Sequence, residues 1–165
     1  MTDEQPPIDL QNVDFHEIAR RGDVEVMTIF LDAGLDPNLL DDRGYGLLMI
    51  AAYNGRTETV RLLLERGADP DLPDPSGNSP LMGTAFTGDV EVARTLLDGG
   101  ANPSHPNGQG ATALHFAAMF QNTELVEVLL EVGADVEAVS ADGETAETLA
   151  RAHGHTEIAD RLASA

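Results

Sequence analysis

The chain has no cysteine. That removes disulfides, thiolate metal sites and cysteine nucleophiles together. It has no lysine either. Its nine cations are all arginine, set against 29 carboxylates, for a formal net charge of −20. Such a surface repels nucleic-acid phosphates and anionic membranes, so neither is expected as a partner. Tryptophan is missing and aromatic residues make up only 4% of the chain, so the position of each one is informative. No apolar run reaches the roughly 18 residues a bilayer-spanning helix needs. The opening stretch MTDEQPPID lacks the basic and apolar regions of a secretory signal. A cytoplasmic location is therefore expected.

What the chain does have is repetition. Gly44, Gly77, Gly110 and Gly143 stand 33 residues apart. So do Gly34, Gly67, Gly100 and Gly133, and Glu25, Glu58, Glu91, Glu124 and Glu157. A period this regular specifies a solenoid in which each unit contacts its neighbours, and it leaves little chain for a separate catalytic site. In residues 41–73, Leu47–Asn54 reads as a short apolar helix with Ala51 and Ala52 on one face. Gly55 permits a turn, and Thr57–Glu65 reads as a second helix with Val60, Leu63 and Leu64 at helical spacing. Gly67 ends that helix in the left-handed conformation. The other second helices are predicted at Val24–Leu31, Val90–Leu97, Thr123–Leu130 and Thr156–Leu162, with Asp23, Asp89 and Asn122 as N-caps. The repeated glutamates fall in the first turn, where the helix dipole favours an acid, so they need no catalytic explanation.

These units resemble the ankyrin repeat family. The resemblance rests on GNSPLMGTAFTG at 77–88, GATALHFAAMFQ at 110–121, and the segments LLLERGAD, LLDGGAN and VLLEVGAD that close three second helices. It implies an all-α solenoid of about five helix-turn-helix units joined by β-turn or hairpin loops. The division expected is a disordered tail at 1–7 and one repeat domain at 8–165, with units 8–40, 41–73, 74–106, 107–139 and 140–165, the first and last being caps. Gly46 supplies no capping hydroxyl to the helix at Leu47, which is expected to weaken that helix start by about 1 kcal/mol. In the family, a histidine at the phase of His16 and His115 ties the turn together by hydrogen bonds.

The resemblance also implies a concave face that binds a protein partner through variable positions. Carried over, these include Arg43, Tyr45, Tyr53, Asn54 and Arg66, then Asn78, Phe86 and Thr87, then Met119 and Phe120. Independently, Arg20, Tyr53, Phe86 and Met119 share one phase of the 33-residue period, so stacking would align them in a row. Phe15, Phe30 and Phe116 fall at phases filled elsewhere by Leu, Ile or Gly and are expected inside, while Tyr45, Tyr53, Phe86 and Phe120 are expected exposed. Exposed bulky apolar groups in a row suit an interaction site. Acids at the turn tips (Asp41, Asp42, Asp74 and Asp142) either cap the turns or attract a partner with a basic surface.

Motifs for chemistry fail on context. Gly77-Asn78-Ser79 lacks the closing glycine of a nucleophile elbow, and Ser79 falls at a helix start. Gly108-x-Gly110 follows no apolar strand, as a dinucleotide fingerprint requires. No catalytic, cofactor or metal residue is assigned. The expected function is a non-enzymatic, stand-alone adaptor or inhibitor of another protein, acting as a monomer. Two rivals stay open: a metal-dependent hydrolase near His115, His153 and His155, and a self-associating structural protein.

Overall fold

The computed structural model describes residues 13–165. The tail expected at 1–7 and the start of the first unit lie outside the described residues. Among those described, ten helices follow one another in pairs: α1 Phe15–Arg21 and α2 Val24–Asp32, α3 Leu47–Tyr53 and α4 Thr57–Glu65, α5 Pro80–Thr87 and α6 Val90–Asp98, α7 Ala113–Met119 and α8 Thr123–Glu131, α9 Ala146–Ala152 and α10 Thr156–Ala163. The chain is an all-α repeat fold. Strand-like pairing among these residues is confined to one isolated bridge, Leu40 to Gly46.

The helix starts follow from short polar side chains. Asp14, Asp23, Asp89 and Asn122 each accept the backbone N–H three residues on, which satisfies one of the donors a helix start leaves open. Ser79 does the same for α5, with Pro80 at the first helical position. Gly46 makes no side-chain cap, as its sequence requires. Glycine is itself an acceptable cap residue, so the deficit is a few tenths of a kcal/mol, roughly, rather than the 1 kcal/mol expected. A β-carbon there would also press on Leu72 Cδ2, at 2.9 Å.

Packing forms two layers. Helices α1, α3, α5, α7 and α9 pack in sequence against one another, and α2, α4, α6 and α8 run alongside. Alanine at one phase of the inner layer (Ala19, Ala52, Ala85 and Ala118) is buried throughout and lets adjacent helices approach closely. Behind it, Leu63, Leu96, Leu129 and Leu162 recur at one phase of the second helices and fill the space between layers, with Phe30 in the same phase.

The connecting turns are stitched by their acids. Asp41 accepts the N–H groups of Arg43 and Tyr45, at 2.9 and 2.8 Å. Asp74 accepts those of Ser76 and Asn78, and Asn107 those of Gln109 and Ala111. Asp41 and Asp74 are therefore turn-closing groups. A second set reaches between turns. Asn38, Asp71 and Ser104 accept the N–H of Asp69, Asn102 and Asp135, each 31 residues downstream. At the tip, Gly77 has φ 82°, and a β-carbon there would meet the Gly108 nitrogen at 2.7 Å. The turn closes there only because no side chain stands between neighbouring tips.

Candidate functional site

A cleft of about 350 Å³ opens between the first three inner helices and the adjoining turn tips. Its size lies within the range of ligand-binding clefts. Met49 and Ile50 of α3 and Gly83 of α5 form its floor, while Tyr53 and Phe86 form walls. Both of these aromatics are largely exposed, Tyr53 at 54% and Phe86 at 47%. Arg20 enters from the end of α1, and Arg43 and Tyr45 enter from the turn before α3. Asn54, Asp74 and Asn78 supply the remaining polar edge.

One lining position of the cleft carries no side chain. Gly83 occupies the phase that α3 fills with Ile50 and α7 with Phe116. A β-carbon at Gly83 would stand 3.5 Å from Tyr53 Cδ2 and 3.8 Å from Met49 Sδ, ordinary contact distances. The position could hold a side chain, and a larger one would extend past Tyr53 and Met49 into the cleft. The expected contact positions leave out Gly83, although the sequence carries its signal, a glycine inside a helix at a phase where its neighbours are bulky.

Seven of the residues expected in the site line this cleft together: Arg20, Arg43, Tyr45, Tyr53, Asn54, Asn78 and Phe86. Four do not. Arg66 follows α4 and its guanidinium pairs with Asp32 at the end of α2, on the second layer. Thr87 is exposed at the end of α5. Met119 is half-buried, and its carbonyl accepts a hydrogen bond from His155. Phe120 stands outside the cleft with its ring 4.7 Å from that of Phe86.

The aromatics partly depart from expectation. Phe30 is buried as expected, but Phe15, edge-on to it at 5.0 Å, is only half-buried. Phe116 is only half-buried, because its ring leans out to meet Phe86 at 5.3 Å. Tyr45 is also half-buried rather than exposed. It packs against the core, and Arg43 lies over its ring at 5.7 Å. The aligned row from Arg20 to Met119 is thus interrupted after Phe86 by a cluster of Phe86, Phe116 and Phe120.

The histidines have structural partners. The Thr112 N–H donates to His115 Nδ1 at 3.1 Å, so the ring proton of neutral His115 sits on Nε2 and donates to the Glu144 carbonyl at 3.1 Å. That bond links the fourth helix pair to the next turn. His16 Nε2 similarly meets the Leu39 carbonyl at 3.2 Å. His155 repeats a contact made by Arg56: each reaches the carbonyl at the end of the preceding inner helix, Met119 and Arg20 respectively. His153 bonds the Leu149 carbonyl. Among the described residues no group of three His, Asp or Glu side chains could hold a metal ion. No helix among them is long and apolar enough to cross a membrane.

Two carboxyls near the turns are shifted in opposite directions. Burial pushes Asp41 up, but the N–H groups of Tyr45 and Arg43 and the nearby charges of His16 and Arg43 outweigh it and hold the carboxyl below its usual range. Burial raises Asp71, and the Asn102 N–H and the charge of His105 do not offset it.

Comparison with known families decides the class. The sequence model described as "Ankyrin repeats (3 copies)" matches residues 15–107 and again 99–165, nearly the whole chain. The chain belongs to the ankyrin repeat family. No curated protein matches it. Ankyrin repeats are generally protein–protein interaction modules, and the family is typically non-enzymatic. For this ankyrin-repeat chain, a protein is accordingly the class of partner indicated.

Proposed function

We propose that this protein is an adaptor or inhibitor that docks a protein partner in the cleft between α1, α3 and α5, on the concave side expected for its fold. The observation that carries the reading is the cleft itself: seven of the eleven expected contact residues converge there, with Tyr53 and Phe86 exposed as facing walls. Large aromatics beside arginine are the residues most enriched in binding hot spots. A repeat scaffold holds them in place before binding, which lowers the ordering cost of association. Arg66, Thr87, Met119 and Phe120 extend the contact beyond the cleft for a partner larger than a single segment. We keep the unit division 8–40, 41–73, 74–106, 107–139 and 140–165 as a proposal, and with it a monomeric, cytoplasmic protein.

The test is affinity capture from the native cell with the parent chain and with a Tyr53→Ala, Phe86→Ala double variant. The expected outcome is a partner retained by the parent and lost by the variant, with a melting temperature lowered by no more than a few degrees. A large fall in melting temperature would make the two rings core residues and reject the reading.

A further inference from the structure

We infer that the cleft receives an acidic segment of its partner: a carboxylate side chain set against Arg20 and Arg43, with a bulky apolar side chain in the gap over Gly83. The inference rests on the docking reading above and adds the chemistry of the occupant.

The charge distribution points this way despite a net charge of −20. Among the described residues one acid lines the cleft, Asp74, against two arginines. The Asp74 carboxylate is already engaged by the Ser76 and Asn78 N–H groups at 2.8 and 2.9 Å and by the Asn78 amide at 3.3 Å. The arginines are less committed. Arg20 donates one N–H to Glu17 and keeps 41% of its side chain accessible. Arg43 has 73% of its side chain accessible, and its nearest carboxylate oxygen is Asp41 Oδ2 at 3.7 Å. Among the described residues its guanidinium makes no hydrogen bond. A guanidinium has five N–H donors in a planar fork that matches a carboxylate.

Position strengthens the point. Arg20 and Arg43 also line a second cavity that carries three acids, Asp14, Asp41 and Asp42, so the two arginines divide an acid-lined hollow from the cleft, where Asp74 is the acid among the described lining residues. Arg20 is paired with Glu17 within α1, as Arg161 is with Glu127 and Arg94 with Glu131 between helices, and Arg43 is the less engaged of the two cleft arginines. Glu17 and Asp41 lie against these guanidiniums, while repulsion from acids farther off is damped beyond a Debye length of about 8 Å at physiological ionic strength, so the donors that Glu17 and Asp41 leave free are what a bound segment meets. A basic partner would find acids over the whole surface and would have no reason to prefer this hollow. The apolar half of the recognition follows from the floor, where Met49, Ile50 and the bare backbone of Gly83 lie between two ring walls.

The experiment selects binders to the full chain from a displayed library of random twelve-residue peptides, then measures labelled copies by fluorescence anisotropy. The enriched peptides are expected to place Asp or Glu within a few positions of Leu, Met or Phe. Replacing their acids by Lys should weaken binding at least tenfold. An Arg20→Gln, Arg43→Gln double variant, one position half-buried and one exposed, and checked to melt with the parent, should weaken it similarly. Gly83→Leu should exclude the peptides by filling the gap. Enrichment of basic peptides, no enrichment, or unchanged binding to the arginine variant overturns the inference. If basic peptides are lost on Tyr53→Ala, Phe86→Ala, the docking face stands and only the charge assignment falls. If peptides survive both double variants, both fall.

Discussion

Gln121 has φ 59°, a left-handed backbone that a side chain disfavours. The corresponding position is Gly22, Gly55, Gly88 and Gly154 in the other units, with φ from 66° to 78°. The strain is therefore specific to one turn, and glycine relieves it at some entropic cost in the unfolded chain. Gln121→Gly is expected to stabilise the fold by about 0.5–1 kcal/mol net, measured by urea denaturation. A loss of stability would mean that the glutamine side chain holds the turn. Thr59 is a second local irregularity. Its Oγ1 is buried and finds no partner among the described residues, while Val26, Val92, Leu125 and Ile158 occupy its phase in the other units. Thr59→Val keeps the shape and removes the orphaned hydroxyl, so a gain of about 1 kcal/mol is expected. For a chain of this size that is a rise in melting temperature of about 2–4 °C. A fall would place an unseen water on that hydroxyl.

At the scale of the element, the turns are joined by acceptors at one recurring position, and Asp71 is the one charged member beside Asn38 and Ser104. Burial raises its carboxyl above the usual value. The folded chain thus holds that proton more tightly than the unfolded chain. Stability falls as pH rises from the unfolded value through the folded one, and the full penalty remains above it. Asp71→Asn keeps an oxygen for the Asn102 N–H and removes the penalty. The variant should out-melt the parent at pH 7 and match it near pH 3, and an advantage that persists in acid would refute the assignment. These elements were largely legible from local residues. The second helices end within one residue of their expected ends, because the closing glycine is a local signal repeated in four units and the capping side chain one repeated in three. The N-caps Asp23, Asp89 and Asn122 were legible for the same reason. The cleft was legible only in part. Phase placed Tyr53 and Phe86 on one face, but it could not show that Phe116 would lean out to meet Phe86, or that Arg66 would turn to Asp32. Those outcomes depend on contacts between units, and a repeat period does not specify how side chains of unlike size settle against one another.

At the scale of the whole molecule, 29 carboxylates face nine arginines, so most acids have no cation to pair with. The exposed pairs that do form contribute little individually, about 0–1 kcal/mol each. Mutual repulsion among the unpaired acids is the larger effect and acts against the folded state. Salt shortens its reach from about 30 Å at 0.01 M to about 10 Å at 0.1 M. The melting temperature should therefore rise over that interval. A flat or falling curve would show that the surface pairs outweigh the excess acid. The ladder between turns has a further consequence. The turns after α4 and α6 each present an acceptor to the N–H group 31 residues ahead, and each has its own N–H met by the acceptor behind. A duplicated 33-residue cassette taken from these central units and spliced in register would arrive with both halves of that seam already matched, so the array can grow there without a new joint being invented.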